Sequence, residues 1–191
     1  MGFWGYFVVG RSERGLVECA VFDESHDHLE LTDAFADGWQ LWQHPPEPEL
    51  GDIDSLVRGL TKETGAPALA AYVLDSECAV VAAASPSGGS WSACLGRATM
   101  ARYMEQSEMD IGELFLTPRD AASQGVAWAA AAGRIAHAGA LARVLAAEPE
   151  PFVENLFYDL LAELGIEDET DTDAPDRRHG RDQGRDHGHE S

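Results

Sequence analysis

The side chains with the clearest chemical capacity begin with His26-Asp27-His28, set among Asp23, Glu24 and Glu30. A His-x-His pair on a strand points both rings to one side, where they can share a metal with a carboxylate. His26 and His28 are therefore the candidate metal ligands, and with nearby carboxylates they would also suit a small hydrolase. The same residues suit a solvated polar loop, and no further ligand completes a recognisable metal motif. His187-Gly188-His189 repeats the pattern near the C-terminus, in a low-complexity setting where binding would be weak.

Nucleophilic catalysis needs a Ser or Cys with a base within reach. Ser76, Cys78, Ser92 and Cys94 are the formal candidates. Outside the C-terminal segment the histidines are His26, His28, His44 and His137, and none sits in a nucleophile signature. Cys78 lies in an apolar run, where an inert buried thiol is the default. No catalytic residue is assigned. The Gly/Ser-rich stretch Ser85–Ser90 lacks a lysine and lacks Walker or Rossmann spacing, so it is read as a turn between strands and not as a phosphate cradle. No cofactor is expected.

The charge is the strongest compositional signal. The chain has 191 residues, with 34 acids against 13 bases and a formal net charge of -21. Residues 1–166 carry 25 acids and 9 bases, a net of -16, so the acidity belongs to the body. Such a field repels phosphate and anionic membranes, which disfavours ordinary nucleic-acid binding and argues against membrane docking. It attracts basic partners. Three cysteines without CxxC spacing argue against a disulfide framework or a zinc ribbon and fit a reducing compartment. The N-terminal apolar run has no basic residue before it, unlike a signal peptide, and is too short for a membrane span. The expected location is the cytoplasm.

Five tryptophans, Trp4, Trp39, Trp42, Trp91 and Trp128, are many for a domain of this size. Most must be core. In the segment Gly38–Gln43, alternation puts Trp39 and Leu41 on one face and Trp42 with Gln40 on the other. Trp42 is therefore the candidate partner-binding residue: an exposed indole in an acidic rim has the composition of a protein-binding patch.

The elements that would position these residues follow from pattern. Phe3–Val9 is aromatic and β-branched and predicts a strand. Leu16–Phe22 could be a short element, and Leu29-Glu30-Leu31 could begin a strand. Pro45, Pro46 and Pro48 end the strand at 38–43. Asp52 or Asp54 caps a helix with Ile53, Leu56, Val57 and Leu60 on one side and Gly65 as its stop. Pro67–Leu74 and Cys78–Ala84 read as an antiparallel hairpin about Asp75-Ser76-Glu77, with a further strand near Trp91–Leu95. Helical composition then takes over: residues 96–106, a turn at Ile111, Leu114 and Phe115, a helix opened by Thr117-Pro118, another at 140–147, and Phe152, Leu156, Leu160 and Leu164 as an i, i+4 stripe. The fold class is α+β, with a mostly antiparallel sheet from the N-terminal half packed on one face by helices from the C-terminal half. The domain spans 1–166. Residues 167–191, with nine acids, four arginines and one aliphatic residue, Ala174, are expected to be a disordered charged tail.

The opening Met1–Ser12, the step Gly38-Trp39-Gln40 and the stretches Thr64–Leu69 and Tyr72–Ser76 resemble a family of small acidic proteins from high-GC actinobacteria. The Arg-over-Lys bias and the alanine richness agree with that source. The resemblance covers about residues 1–165 and brings no catalytic residue and no substrate. The residues themselves point first to a non-enzymatic interaction protein, a regulator, adaptor or immunity-type inhibitor of a basic protein, with nucleic-acid mimicry as a variant. The alternative is a small hydrolase or metal-dependent enzyme using carboxylates and His26 or His28.

Overall fold

A computed structural model describes residues 1–168. The tail expected at 167–191 lies outside the described residues except for Glu167 and Asp168.

Six strands form one antiparallel sheet: β1 (Gly5–Arg11), β2 (Glu30–Ala34), β3 (Trp39–His44), β4 (Ala68–Leu74), β5 (Cys78–Ser85) and β6 (Gly89–Leu95). Their order is β2-β3-β1-β4-β5-β6. The first strand thus lies inside the sheet, with Val9 opposite Leu41 of β3 on one side and Leu69 of β4 on the other. Both of its faces are buried, which is why its sequence is apolar at consecutive positions and does not alternate with polar residues.

The helices are α1 (Ile53–Thr64), α2 (Arg97–Glu105), the single turn α3 (Ile111–Leu114), α4 (Pro118–Ala131), α5 (Ala138–Ala146) and α6 (Val153–Glu163). Their termini obey local chemistry. Asp52 accepts the Ser55 N–H at 2.9 Å, and Gly65 closes α1 at φ 69°. Thr117 accepts the Asp120 N–H at 3.1 Å ahead of Pro118.

Helices α4, α5 and α6 cover one face of the sheet through Phe7, Val9, Leu41, Leu69 and Val81. The opposite face is covered as well, which differs from the one-sided packing expected from the sequence. There Val8, Ala70, Ala82 and Ala84 meet Leu56, Val57 and Leu60 of α1, together with Leu16 and Phe22 from a run of 3-10 turns at 16–28. At the other end of the same face Cys78 and Cys94 meet Met100 and Met104 of α2. The reason is composition. A strand pair as rich in alanine as β4 and β5 leaves shallow surfaces on both sides, and a helix can lie close on each. Trp128 uses this closeness: its indole N–H reaches the carbonyls of Ala68 and Ala84 at 3.1 and 3.0 Å. Among the described residues, no helix is long and apolar enough to cross a membrane.

Two local expectations change. Alternation does place Trp42 opposite Trp39, but that second face is itself packed, so the Trp42 ring is only partly exposed. The α6 stripe begins at Val153, which is buried, whereas Phe152 precedes the helix and is 52% exposed.

Candidate functional site

His26-Asp27-His28 forms a 3-10 turn and not a strand, so the two rings are not held side by side as alternation would require. His26 turns back on its own loop, with Nδ1 3.0 Å from the Asp23 carbonyl and Nε2 3.0 Å from Asp27 Oδ1. His28 instead meets His44 edge-on, with ring centroids 5.9 Å apart. Among the described residues, no group of three or more His, Cys, Asp or Glu side chains is gathered as a metal site would need.

His44 ends β3 and is fully buried. Its Nδ1 lies 2.7 Å from the Pro45 carbonyl. Only a protonated Nδ1 can make that bond, which leaves Nε2 as an acceptor. Among the described residues, that Nε2 has no hydrogen-bond partner. Burial holds the imidazole below its ordinary pKa of 6.5, with the nearby His28 acting in the same direction and the Pro45 bond opposing it.

His28 also lines a cleft of about 290 Å³, together with Phe3, Trp4, Asp27, Glu30, Gln43 and Pro45. Phe3 is anchored by stacking on Phe7, with centroids 5.4 Å apart. Trp4 lies just before β1 and is 39% exposed. The cleft thus combines an exposed tryptophan with two carboxylates, and among the described residues no lysine or arginine lines it.

Comparison with family models, with curated proteins and with solved structures finds no match.

Among the described residues, no nucleophile candidate is hydrogen-bonded to a histidine. The Ser76 hydroxyl donates to Glu154, and that of Ser92 donates to the Leu114 carbonyl at 3.3 Å. Burial pushes the Cys78 thiol up to about 12 and that of Cys94 up to about 11, far from a reactive thiolate at neutral pH. The His26 and His44 hydrogen bonds go to backbone carbonyls.

Of the candidate site residues His26, His28 and Trp42, His28 alone lines the cleft. Trp42, the candidate partner anchor, lies outside the cleft and is partly buried. Its indole N–H donates to Gln40 Oε1 at 2.8 Å, and the ring packs with the second core. Among the five tryptophans, the exposed one is Trp4. The available signal was its place at the mouth of an apolar strand, where the chain has not yet entered the sheet.

Proposed function

We propose that this protein binds a basic protein partner and that the Trp4 cleft receives a cationic side chain of that partner. The observation that carries the reading is the pairing of an exposed Trp4 with Asp27 and Glu30 in one cleft that, among the described residues, has no lysine or arginine in its lining. An indole face attracts a guanidinium or ammonium, and flanking carboxylates strengthen that attraction. The net charge of -21 adds long-range steering. A regulator, adaptor or immunity-type inhibitor would act in this way, without turnover.

The test is titration of the ¹⁵N-labelled full chain with a short arginine-rich peptide. The expected shifts cluster at the Trp4 indole N–H, Asp27 and Glu30. Replacing both acids with their amides should slow association, while Trp4→Ala should speed dissociation. Raising salt should also slow association, because the screening length shrinks below about 8 Å. Shifts elsewhere on the surface, or equal binding by Trp4→Ala, would sink the reading.

A second reading, a small hydrolase or metal-dependent enzyme, draws on the presence of His28 with Asp27 and Glu30 in the same cleft. In that case the full chain should show an activity that His28→Gln abolishes; an activity unchanged in that variant would count against it.

A further inference from the structure

The cations of this acidic molecule also make a site of their own, at the opposite end of the strands from Trp4. There a concavity of about 650 Å³ opens between α1 and the β5–β6 turn, lined by Arg58, Thr61, Lys62, Ala84, Ser85 and Ser90 among others. Among the described residues, no carboxylate lines it. Lys62, the sole lysine of the chain, lies one helical turn beyond Arg58 on α1, so both side chains leave the same side of that helix. Among the described residues, Lys62 takes part in no salt bridge.

The hydroxyls face a particular constraint. Ser90 Oγ accepts from Arg58 Nε at 3.0 Å, and Ser85 Oγ accepts from the Gly88 N–H at 3.0 Å. Each oxygen is thereby held by an incoming donor. Among the hydrogen bonds of the described residues, neither O–H donates to an acceptor. Arg58 is itself steadied by Asp54, 2.8 Å from one terminal nitrogen. The result is an ammonium, a guanidinium and two hydroxyl protons around one space, all donors. Ala84 and Pro86 supply an apolar part of the wall. The Ser85–Ser90 turn lacks a lysine in its own sequence; the fold brings one to it from α1.

We infer that this concavity binds a small organic phosphate. A compact oxyanion accepts from several donors at once, charge-assisted bonds to it are the strong ones, and the apolar wall suits a short carbon body. This site is independent of the Trp4 cleft and of any basic partner.

The experiment is an NMR titration of the full chain with phenyl phosphate, with inorganic phosphate and potassium chloride at matched ionic strength as parallel arms. Saturable shifts at Lys62, Ser85 and Ser90 are expected with phenyl phosphate, and weaker ones with inorganic phosphate. Lys62→Met should weaken binding by about tenfold or more, while Lys62→Arg should retain most of it. Lys62 is exposed, and an unchanged melting temperature in both variants would show that the fold is intact. Shifts that do not saturate, shifts reproduced by chloride, or equal binding by Lys62→Met would overturn the site. Equal affinity for the ester and the inorganic ion would overturn its organic character.

Discussion

The Ser76 hydroxyl donates to Glu154 Oε1 at 2.5 Å, joining the β4–β5 turn to the first turn of α6 across 78 positions of sequence. The same oxygen accepts the Phe3 N–H at 2.7 Å, and the Ser76 carbonyl accepts the Val153 N–H at 2.8 Å. Asp75 and Ser76 both have positive φ, 51° and 58°, as the two central residues of the Leu74–Glu77 turn, which the Glu77 N–H closes on the Leu74 carbonyl at 3.0 Å. One serine therefore fastens the N-terminal segment, the hairpin and the last helix together.

Ser76→Ala should remove this fastening. It leaves the Phe3 N–H without its acceptor and Glu154 without its donor. Unmade bonds of this kind cost about 1–3 kcal/mol each when the groups stay buried. Urea denaturation should show a lower midpoint with an unchanged slope. A midpoint equal to that of the unaltered protein would mean that water replaces the hydroxyl freely.

The α6 stripe separates into positions of different consequence. Leu160 is fully buried and packs in the main core, so Leu160→Ala should cost about 2–5 kcal/mol. Phe152, in line with the stripe in sequence but outside the helix and exposed, should cost only about 0.5 kcal/mol when changed to alanine. Chemical denaturation of the two variants side by side checks the contrast. Similar losses for both would show that Phe152 contributes to the core.

His44 gives the stability a dependence on pH. Its folded pKa is lowered, chiefly by burial, whereas in the unfolded chain it titrates near the ordinary value of 6.5. Below that value the unfolded state binds the proton more readily. The contribution is thus complete above pH 6.5 and is lost as the pH falls through the folded pKa. His28 and Tyr6 face this ring, with centroids at 5.9 and 5.8 Å. Unfolding midpoints measured from pH 8 down to pH 5 should fall more steeply in the unaltered protein than in His44→Phe. Parallel slopes would show that another group governs the acid limb.

The helix caps, the hairpin and the strand sequence were legible because each is written locally. Asp52, Gly65 and Thr117-Pro118 act within one turn of the chain. The hairpin needed only two apolar runs about Asp75-Ser76-Glu77. The cover on the second face was not legible. It comes from 3-10 turns at 16–28 with no side-chain caps and no lasting period, and Leu16 and Phe22 gain their meaning only against Val8 and α1. Trp42 shows the same limit. Alternation tells which face a side chain takes, but not whether that face is dry. Trp4 and Lys62 owe their roles to neighbours far away in sequence, Glu30 and Gln43 for one and Ser85 and Ser90 for the other.

The position of β1 between β3 and β4 shapes how the chain can assemble during synthesis. The strand made first is one whose two edges are taken by later segments, at residues 39–44 and 68–74. Until those leave the ribosome, Tyr6, Phe7, Val8 and Val9 stand with free hydrogen-bonding edges and uncovered side chains. Such a strand is open to pairing with another nascent chain. The carboxylates that emerge alongside it, from Glu13 through Glu30, place like charge on every copy and would hold those copies apart while the sheet waits for its partners.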